Sequence, residues 1–387
     1  MYVTRSFSQL RKYPELASEY PEGPNSGFLV IQDEESETYC CFELCKTYTL
    51  KELPFPQNKE LTVKHTTGSG ETQTTTWNPV FLIPVLNQPL YLNRYHAIVP
   101  HGKRKGEAFT CSTEEDKVTC CFCRCVKDVK PRPFDPQNIY QQIGIVPYDS
   151  VCSTRGDFMA NSVASDGFPP SFFRRKGWTM IATTSKHFEL GEAPGLDGTL
   201  RARLPQLSLS RSEPVVVGKW YCPFIFVKEG SLRDQVERSM YYEMTLEQRW
   251  ERIFSCQNNG GNSVVIDVLL DKEEVFVNGE KCVMNERNAA DEIVWFTSSG
   301  NLGGEMSFGL RVEILQRMKW EQERGGWIGG GEKEAKIKKT EEFKEGREWR
   351  EFGCYVLVER FRLKRMDGSL AMEYDFKHVH HIKTLWE

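Results

Sequence analysis

The segment YVLVERFRLKRMDGSLAMEYDF, residues 355–376, indicates the fold class of this chain. Two β-prone runs flank Asp367-Gly368, a dipeptide that favours a tight hairpin because a type I′ turn needs positive φ at its central residues. Asn278-Gly279 carries the same signal between two shorter apolar runs. The sequence therefore predicts an α+β protein that is predominantly antiparallel β.

One main helical segment is predicted within this C-terminal region, over residues 231–254. Ser231 with Asp234 and Thr245 with Gln248 both have capping-box spacing, so one helix or two abutting helices are expected. Apolar residues recur at helical spacing in both halves of the segment. Further on, residues 307–314 alternate between polar and apolar side chains, which predicts a strand with one wet face.

The N-terminal region matches itself at an offset of 80 residues. Between 28–58 and 108–138, nine positions are identical without a gap, including a Cys-Cys-Phe triplet and a Pro-Gln-Asn triplet. We therefore expect a duplicated N-terminal β unit. The predicted organisation is an N-terminal β-rich region over 1–190, a linker or long loop over 191–214, and a C-terminal antiparallel sheet over 215–387.

Composition excludes several classes of protein. The chain has 387 residues, a net charge of −4 and a pI near 6.1, so no overall field attracts it to nucleic acid. The uncharged stretch 72–93 has the length of a membrane span, but Pro79, Pro84 and Pro89 would break a helix there. The N-terminus has no apolar signal region. We expect a cytoplasmic or nuclear protein without a membrane span.

Thirteen cysteines in a chain without a secretion signal indicate a reducing compartment. The two Cys-Cys-Phe strands offer candidate zinc ligands, and the predicted set is Cys41, Cys45, Cys121, Cys123 and Cys125. Their spacing is not the paired C-x-x-C knuckle of most structural zinc sites. The alternative is that they are small core residues of buried strands.

Three further groups of residues are open to both a functional and a structural interpretation. His378 and His380 continue the apolar parity of the last strand, where they could bind a metal or end a sheet. Short basic runs at 103–105 and 174–176 are expected to be solvated loop tips. Four aromatic residues could line a recognition surface or pack in the core: Trp220, Tyr221, Trp320 and Trp327.

Sequence motifs of common enzymes are absent. The chain contains no Gly-x-x-x-x-Gly-Lys-Ser/Thr loop, no Gly-x-Ser-x-Gly elbow and no kinase or EF-hand signature. A catalytic Cys-His pair could assemble in three dimensions, for instance Cys152 with His187, or around His96. No motif in the sequence selects such a pair.

Several segments together resemble a family of uncharacterised land-plant proteins, the domain of unknown function 1262. The resemblance rests on residues 23–27, 53–58, 81–89, 166–170, 218–224, 318–324 and 365–369. It implies a plant source and a multigene family, and it brings no catalytic residue, cofactor or substrate.

Three functions are therefore weighed. The first is a non-catalytic intracellular binding or interaction protein with an unknown protein or small-molecule partner, associated with stress or defence. The second is a zinc-thiolate structural or redox protein, and the third is a Cys/His-dependent enzyme.

Overall fold

The computed structural model describes residues 1–40, 45–68, 72–120, 123–149, 156–207, 213–285, 292–298, 306–344 and 348–387. The chain forms two compact units. The first comprises Met1–Glu192 with Pro223–Ile225 and Gly230–Met240, and the second comprises Ala193–Cys222, Phe226–Glu229 and Tyr241–Glu387.

The strands in chain order are β1 Tyr2–Ser6, β2 Gly27–Ile31, β3 Thr38–Cys40, β4 Cys45–Thr47, β5 Thr49–Leu50, β6 Lys59–Thr67, β7 Thr74–Pro84, β8 Arg94–Ile98, β9 Lys117–Cys120, β10 Cys123–Val126, β11 Gln142–Pro147, β12 Phe158–Ser162, β13 Thr179–Thr184, β14 Gly195–Leu196, β15 Val215–Pro223, β16 Val227–Lys228, β17 Tyr241–Gln257, β18 Ser263–Asp271, β19 Glu273–Val277, β20 Glu280–Asn285, β21 Ile293–Ser298, β22 Met306–Arg311, β23 Glu334–Glu342, β24 Glu351–Arg365 and β25 Leu370–Trp386. The helices are α1 Phe7–Lys12, α2 Ser171–Arg174, α3 Gly198–Arg203, α4 Leu232–Arg238 and α5 Val312–Arg324. The protein is β-rich and mostly antiparallel, as the sequence predicts; β1 and β2 form a parallel pair.

The first unit is built on an antiparallel sheet with the strand order β12-β11-β8-β7-β6-β13-β5. Its core lies on one face, where Trp178 packs against Phe158 with ring centroids 5.5 Å apart. The Trp178 Nε1–H donates to the Phe173 carbonyl at 3.1 Å, so the buried indole keeps a hydrogen-bond partner. Aromatic and β-branched side chains at alternate positions thus bury one face of each strand.

The two segments that match in sequence have similar local structure. A short 3-10 helix at Glu34–Ser36 precedes the β3–β4 ladder, and another at Glu114–Asp116 precedes the β9–β10 ladder. The duplication itself stays a prediction, because short hairpins of this kind also arise independently.

The second unit contains a larger sheet with the strand order β16-β22-β21-β20-β19-β25-β24-β17-β15. One face of its long central strands carries a lattice of ion pairs. The Asp375 carboxylate, 1% exposed, accepts from Arg360 at 2.5 and 2.7 Å and from Arg249 at 2.9 Å. Side chains of opposite charge on different strands pair with each other, and this pairing allows charged residues to lie in the central part of the sheet.

The β17–β24 ladder continues into a second ribbon that folds back on it. Asn258 N–H donates to the Arg350 carbonyl and Phe343 N–H to the Asn262 carbonyl, after which β18 pairs with β23. Ile266 and Phe352 are both fully buried in the cluster between the two ribbons. The charged stretch that contains β23 is therefore a strand that buries Ile337 in this cluster.

The predicted helix over 231–254 is wrong in its second half. Helix α4 ends at Arg238, and residues 241–257 form the seventeen-residue strand β17. Pairing with β24 explains the difference, and in this sheet Glu247 pairs with Arg362 of β24 and Arg249 with Asp375 of β25. Helix α4 also belongs to the first unit, although its sequence position lies within the predicted C-terminal region.

Two other expectations differ in detail. The described part of the predicted linker or loop, residues 191–207 and 213–214, contains β14 and α3. The predicted strand over 307–314 ends at Arg311, and Val312 begins α5, the longest helix in the described part of the chain.

Both predicted hairpins are confirmed. Asn278 and Gly279 have φ of 48° and 87°, as a type I′ turn requires, and they join β19 to β20. The loop between β24 and β25 is longer than the two-residue turn predicted at Asp367-Gly368. Within this loop only Gly368 has positive φ, at 81°.

Candidate functional site

The first unit contains a cavity of about 450 Å³ on the outer face of its sheet. Strands β6, β7 and β13 line it together with α4, a loop around Pro100–Lys105 and the segment at His187 and Phe188. Every lining residue belongs to the first unit. The volume lies in the range of sites that bind small organic molecules.

Alternation along β6 places polar groups in this cavity. Leu61 and Val63 belong to the buried core, whereas Glu60 and Thr62 lie on the opposite face and line the cavity. The register sets Thr62 opposite Pro79 of β7, which is also a lining residue. The outer face of the sheet therefore presents hydroxyl and carboxylate groups beside apolar ones.

Aromatic rings form the floor of the cavity. Phe81 is 5% exposed, and its ring lies 5.9 Å from that of Phe188 in an edge-to-face arrangement and 6.3 Å from that of Phe224. Val236 of α4 and Met240 just beyond it add aliphatic surface. A ligand with an apolar body would exchange water for these side chains.

The loop that precedes β9 is held against α4 at one end of the cavity. Gly106 has φ of 85°, and a Cβ there would lie 2.7 Å from Leu232 Cγ, so glycine permits the close approach. Lys105 Nζ lies 3.3 Å from Glu237 Oε1 and links the same loop to the helix. Both contacts fix the position of the lining residues His101 and Lys105.

The opposite edge of the cavity is ordered by Ser185. Its hydroxyl donates to Glu60 Oε1 at 3.4 Å and accepts the backbone N–H groups of His187 and Phe188 at 3.1 and 3.2 Å. This turn places an imidazole at the rim and a phenyl ring in the floor. Glu60 is thereby oriented by a neutral donor.

The polar groups around this apolar floor are chemically mixed. They comprise two carboxylates, one ammonium group, two imidazoles and two hydroxyls, from Glu60, Glu237, Lys105, His101, His187, Thr62 and Thr183. No cysteine occurs among the lining residues that the structure describes. The composition suits reversible binding of an amphipathic molecule.

The second unit has a buried polar centre beneath the C-terminal end of α5. Arg201 donates to both oxygens of Glu359, at 2.8 Å from Nε and 2.5 Å from Nη2, and to the Glu321 carbonyl at 3.0 Å. His378 Nε2 lies 3.0 Å from Gln322 Oε1 and 3.6 Å from Glu359 Oε2, so the shorter contact is the hydrogen bond.

Charge pairing determines the protonation of this centre. Burial raises the pKa of the Glu359 carboxyl, but His378 and Arg201 more than offset burial, and the pKa falls to about 2. With this lowered pKa the carboxylate, which is 1% exposed, remains ionised inside the protein at neutral pH. Because its oxygens are taken by Arg201 and by Gln248, this centre stabilises the fold rather than offering a binding group.

The five predicted zinc ligands are only partly described. Cys41 and Cys121 lie outside the described residues, and Cys45 and Cys123 are described by their backbone in β4 and β10. Cys125 is a free, exposed thiol. In the described part of the chain, no three His, Cys, Asp or Glu side chains are grouped as a metal site would require. The zinc site stays a prediction.

Two other described thiols, Cys222 and Cys354, are buried. Burial raises the pKa of Cys222 to about 12 and that of Cys354 to about 11. A nucleophilic or metal-binding cysteine needs a lowered pKa, so these two thiols are core residues.

The described histidines among the remaining candidates lie in different environments. A bulge in β25 breaks the predicted parity, so that His378 is 1% exposed while His380 and His381 are exposed. His96 is buried against Phe134, with ring centroids 4.9 Å apart. Cys152 lies outside the described residues.

The four aromatic residues considered for recognition do not form an exposed surface. Trp220, Tyr221 and Trp327 are at most 5% exposed, and Trp320 is stacked between the guanidinium groups of Arg317 and Arg324.

Residues 22–122 match the family described as "Protein of unknown function (DUF1262)". The segment contains β6, β7 and β8 and so includes part of the cavity wall. No curated protein matches the chain. Among solved structures, the crystal structure of Cry35Ab1 is similar at a TM-score of 0.47 with 12% sequence identity, covering 86% of this chain and 90% of that chain. No helix in the described ranges has the length and hydropathy needed to cross a membrane.

The location of the cavity could not be predicted from the sequence. Glu60, Lys105 and Glu237 are widely separated along the chain, and no motif joins them. The available signal was the alternation over 60–63, which predicts a strand with one polar face. It does not show that α4 would cover that face.

Proposed function

We propose that the protein is a non-catalytic binding protein that holds a small amphipathic molecule in the cavity of the first unit. The observation that carries the proposal is the cavity itself, about 450 Å³ with an aromatic floor and a polar rim. Sites of this volume and composition bury most of the surface of a small ligand.

Binding is favoured over catalysis by the roles of the polar groups. Lys105 pairs with Glu237, and Glu60 is oriented by a serine hydroxyl. Among the described lining residues, these polar groups are not arranged as the nucleophile, base and orienting group that covalent catalysis needs. These polar groups can instead orient the polar end of a ligand.

The organism and the cellular compartment that we propose follow from the family resemblance. We propose a plant protein of the cytosol or nucleus that is associated with stress or defence. Its ligand would be a small molecule present in the cell. The alternative is that a protein partner binds to the first unit.

The proposal is tested with 2-(1-naphthyl)ethanol, a neutral amphipathic fluorescent probe, titrated by calorimetry. Thr62→Trp places a large ring in the cavity, whereas Thr66→Trp adds the same ring to the exposed end of the same strand face. We expect saturable binding that Thr62→Trp weakens by at least about ten-fold and Thr66→Trp leaves unchanged. Absence of saturable binding, or equal binding by both variants, would exclude the cavity as a binding site.

The zinc-thiolate function remains the second candidate because of one backbone observation. Cys40 lies directly opposite Cys45 in the β3–β4 ladder, and Cys120 directly opposite Cys123 in the β9–β10 ladder. Thiolates are common zinc ligands, so cysteines on paired strands of the backbone are candidates to share one metal ion. Both ladders fall in the segments that we propose to be duplicated.

Metal analysis of protein purified under reducing conditions without chelator tests this second function. About one zinc per chain, with thiols protected until chelation, would support it. Metal-free protein whose paired cysteines react freely would contradict it.

A further inference from the structure

We infer that the cavity ligand is a cationic amphiphile, an apolar body that carries an amine protonated at neutral pH, and that Glu60 is its anionic partner. The inference rests on the proposed function and specifies the chemistry of the ligand. It follows from the way charges are paired around the cavity.

Two of the three formally charged lining residues neutralise each other. Lys105 Nζ lies 3.3 Å from Glu237 Oε1, and Arg233 Nε lies 3.6 Å from the same oxygen. Lys105 is 16% exposed and Glu237 53% exposed, so the ammonium group lies beneath its partner. A carboxylate ligand could reach this ammonium group only in competition with Glu237.

Glu60 is different because no cation of the described residues lies within ion-pair distance of its carboxylate. Its one described side-chain contact is the Ser185 hydroxyl at 3.4 Å. Glu60 lines the cavity and is half-buried. Lys105 and Glu237 offset each other, so the formal charge that remains among the carboxylate and ammonium groups of the described lining is the negative charge of Glu60.

The remaining rim groups match an ammonium group as well. A protonated primary amine donates three hydrogen bonds and accepts none. The rim supplies acceptors: the carboxylate of Glu60 and the hydroxyl oxygens of Thr62 and Thr183. A ligand carboxylate would need donors instead, and the strongest donor, Lys105, is already paired.

Three probes of nearly equal size separate the possibilities: 2-(1-naphthyl)ethylamine, 2-(1-naphthyl)ethanol and 3-(1-naphthyl)propanoate. Each is titrated into the full chain by calorimetry at neutral pH. We expect the amine to bind at least about ten-fold more tightly than the alcohol, and the acid to bind more weakly than both. The alcohol carries no charge, so its affinity is the reference for binding without a charge interaction.

The decisive variant is Glu60→Gln, which keeps the shape and the contact to Ser185 but removes the charge. Its amine affinity is expected to fall at least about ten-fold, towards that of the alcohol, and an unchanged thermal unfolding curve reports an intact fold. Glu15→Gln, an exposed carboxylate of the first unit outside the cavity, is the matched control and should leave all three affinities unchanged.

The outcomes separate the two proposals. If the alcohol binds but the amine shows no preference, or if the acid binds most tightly, the cationic ligand is overturned and the binding function stands. An amine preference that survives Glu60→Gln would overturn the role of Glu60. If none of the three probes binds, the proposed function itself fails.

Discussion

Arg201 and Glu359 form a bidentate ion pair beneath the C-terminal end of α5. Two parallel hydrogen bonds of 2.8 and 2.5 Å join the guanidinium group to the carboxylate, and a third, at 3.0 Å, reaches the Glu321 carbonyl. A cation at this position also complements the negative end of the helix dipole. Short helix α3 and the long strand β24 are thereby tied to α5 through one side chain.

Removing the arginine should be strongly destabilising. Arg201→Ala leaves Glu359 buried without its cation, which typically costs about 3–5 kcal/mol. Chemical denaturation should show this loss in the free energy of unfolding. Arg203→Ala, in the same helix but exposed, should change it by less than about 0.5 kcal/mol. Equal effects of the two substitutions would contradict the assigned role of the pair.

Gly325 provides an independent test of how tightly Arg201 is held. Its φ of −79° suits alanine, but a Cβ there would lie 1.9 Å from Arg201 Nη2. Because that nitrogen is bound to Glu359, Gly325→Ala should destabilise by about 1–3 kcal/mol. Gly331→Ala, which meets no atom within 4 Å, should not destabilise comparably.

The two substitutions should be coupled. In an Arg201→Ala background the added methyl group at residue 325 no longer meets a guanidinium group, so the cost of Gly325→Ala should largely vanish. Additive losses in this double-mutant cycle would show that the methyl group disturbs something other than Arg201.

The same centre predicts a specific response to acid. The pKa of Glu359 is lowered to about 2 from its ordinary value of 4.5, so its contribution is present above pH 4.5 and is lost as the pH falls towards 2. The loss should be roughly 3 kcal/mol across that window. Denaturation curves between pH 5 and pH 2 should show a shallower loss for Glu359→Gln than for the unmodified protein. Parallel curves would assign the acid sensitivity to other carboxylates.

Some of the fold could be predicted because the deciding signal was local. Asn278-Gly279 specifies its turn through the backbone preferences of two adjacent residues, and the hairpin forms as expected. The prolines of residues 72–93 exclude a continuous helix there, and Thr74–Pro84 forms the strand β7. Trp77 of this strand is 56% exposed because it lies on the outer face opposite Lys64.

Other parts could not be predicted because they depend on distant partners. Thr245 and Gln248 have capping-box spacing, yet they lie in a strand whose partner β24 is more than a hundred residues away. Pairing over such a distance overrides local propensity. The cavity also depends on residues that are distant in the sequence, since Glu60 and Val236 are brought together only when α4 packs on the sheet of the first unit.

Thiol chemistry gives the last prediction. Cys125 is exposed, whereas burial raises the pKa of Cys222 to about 12 and that of Cys354 to about 11. Since the thiolate is the reactive form, iodoacetamide at pH 7.5 should label Cys125 within minutes and the other two only in denaturant. Peptide mass mapping of the native and unfolded protein checks this order. Protection of Cys125 that disappears on adding a zinc chelator would instead favour the zinc-thiolate function, because a bound metal would then shield the exposed thiol.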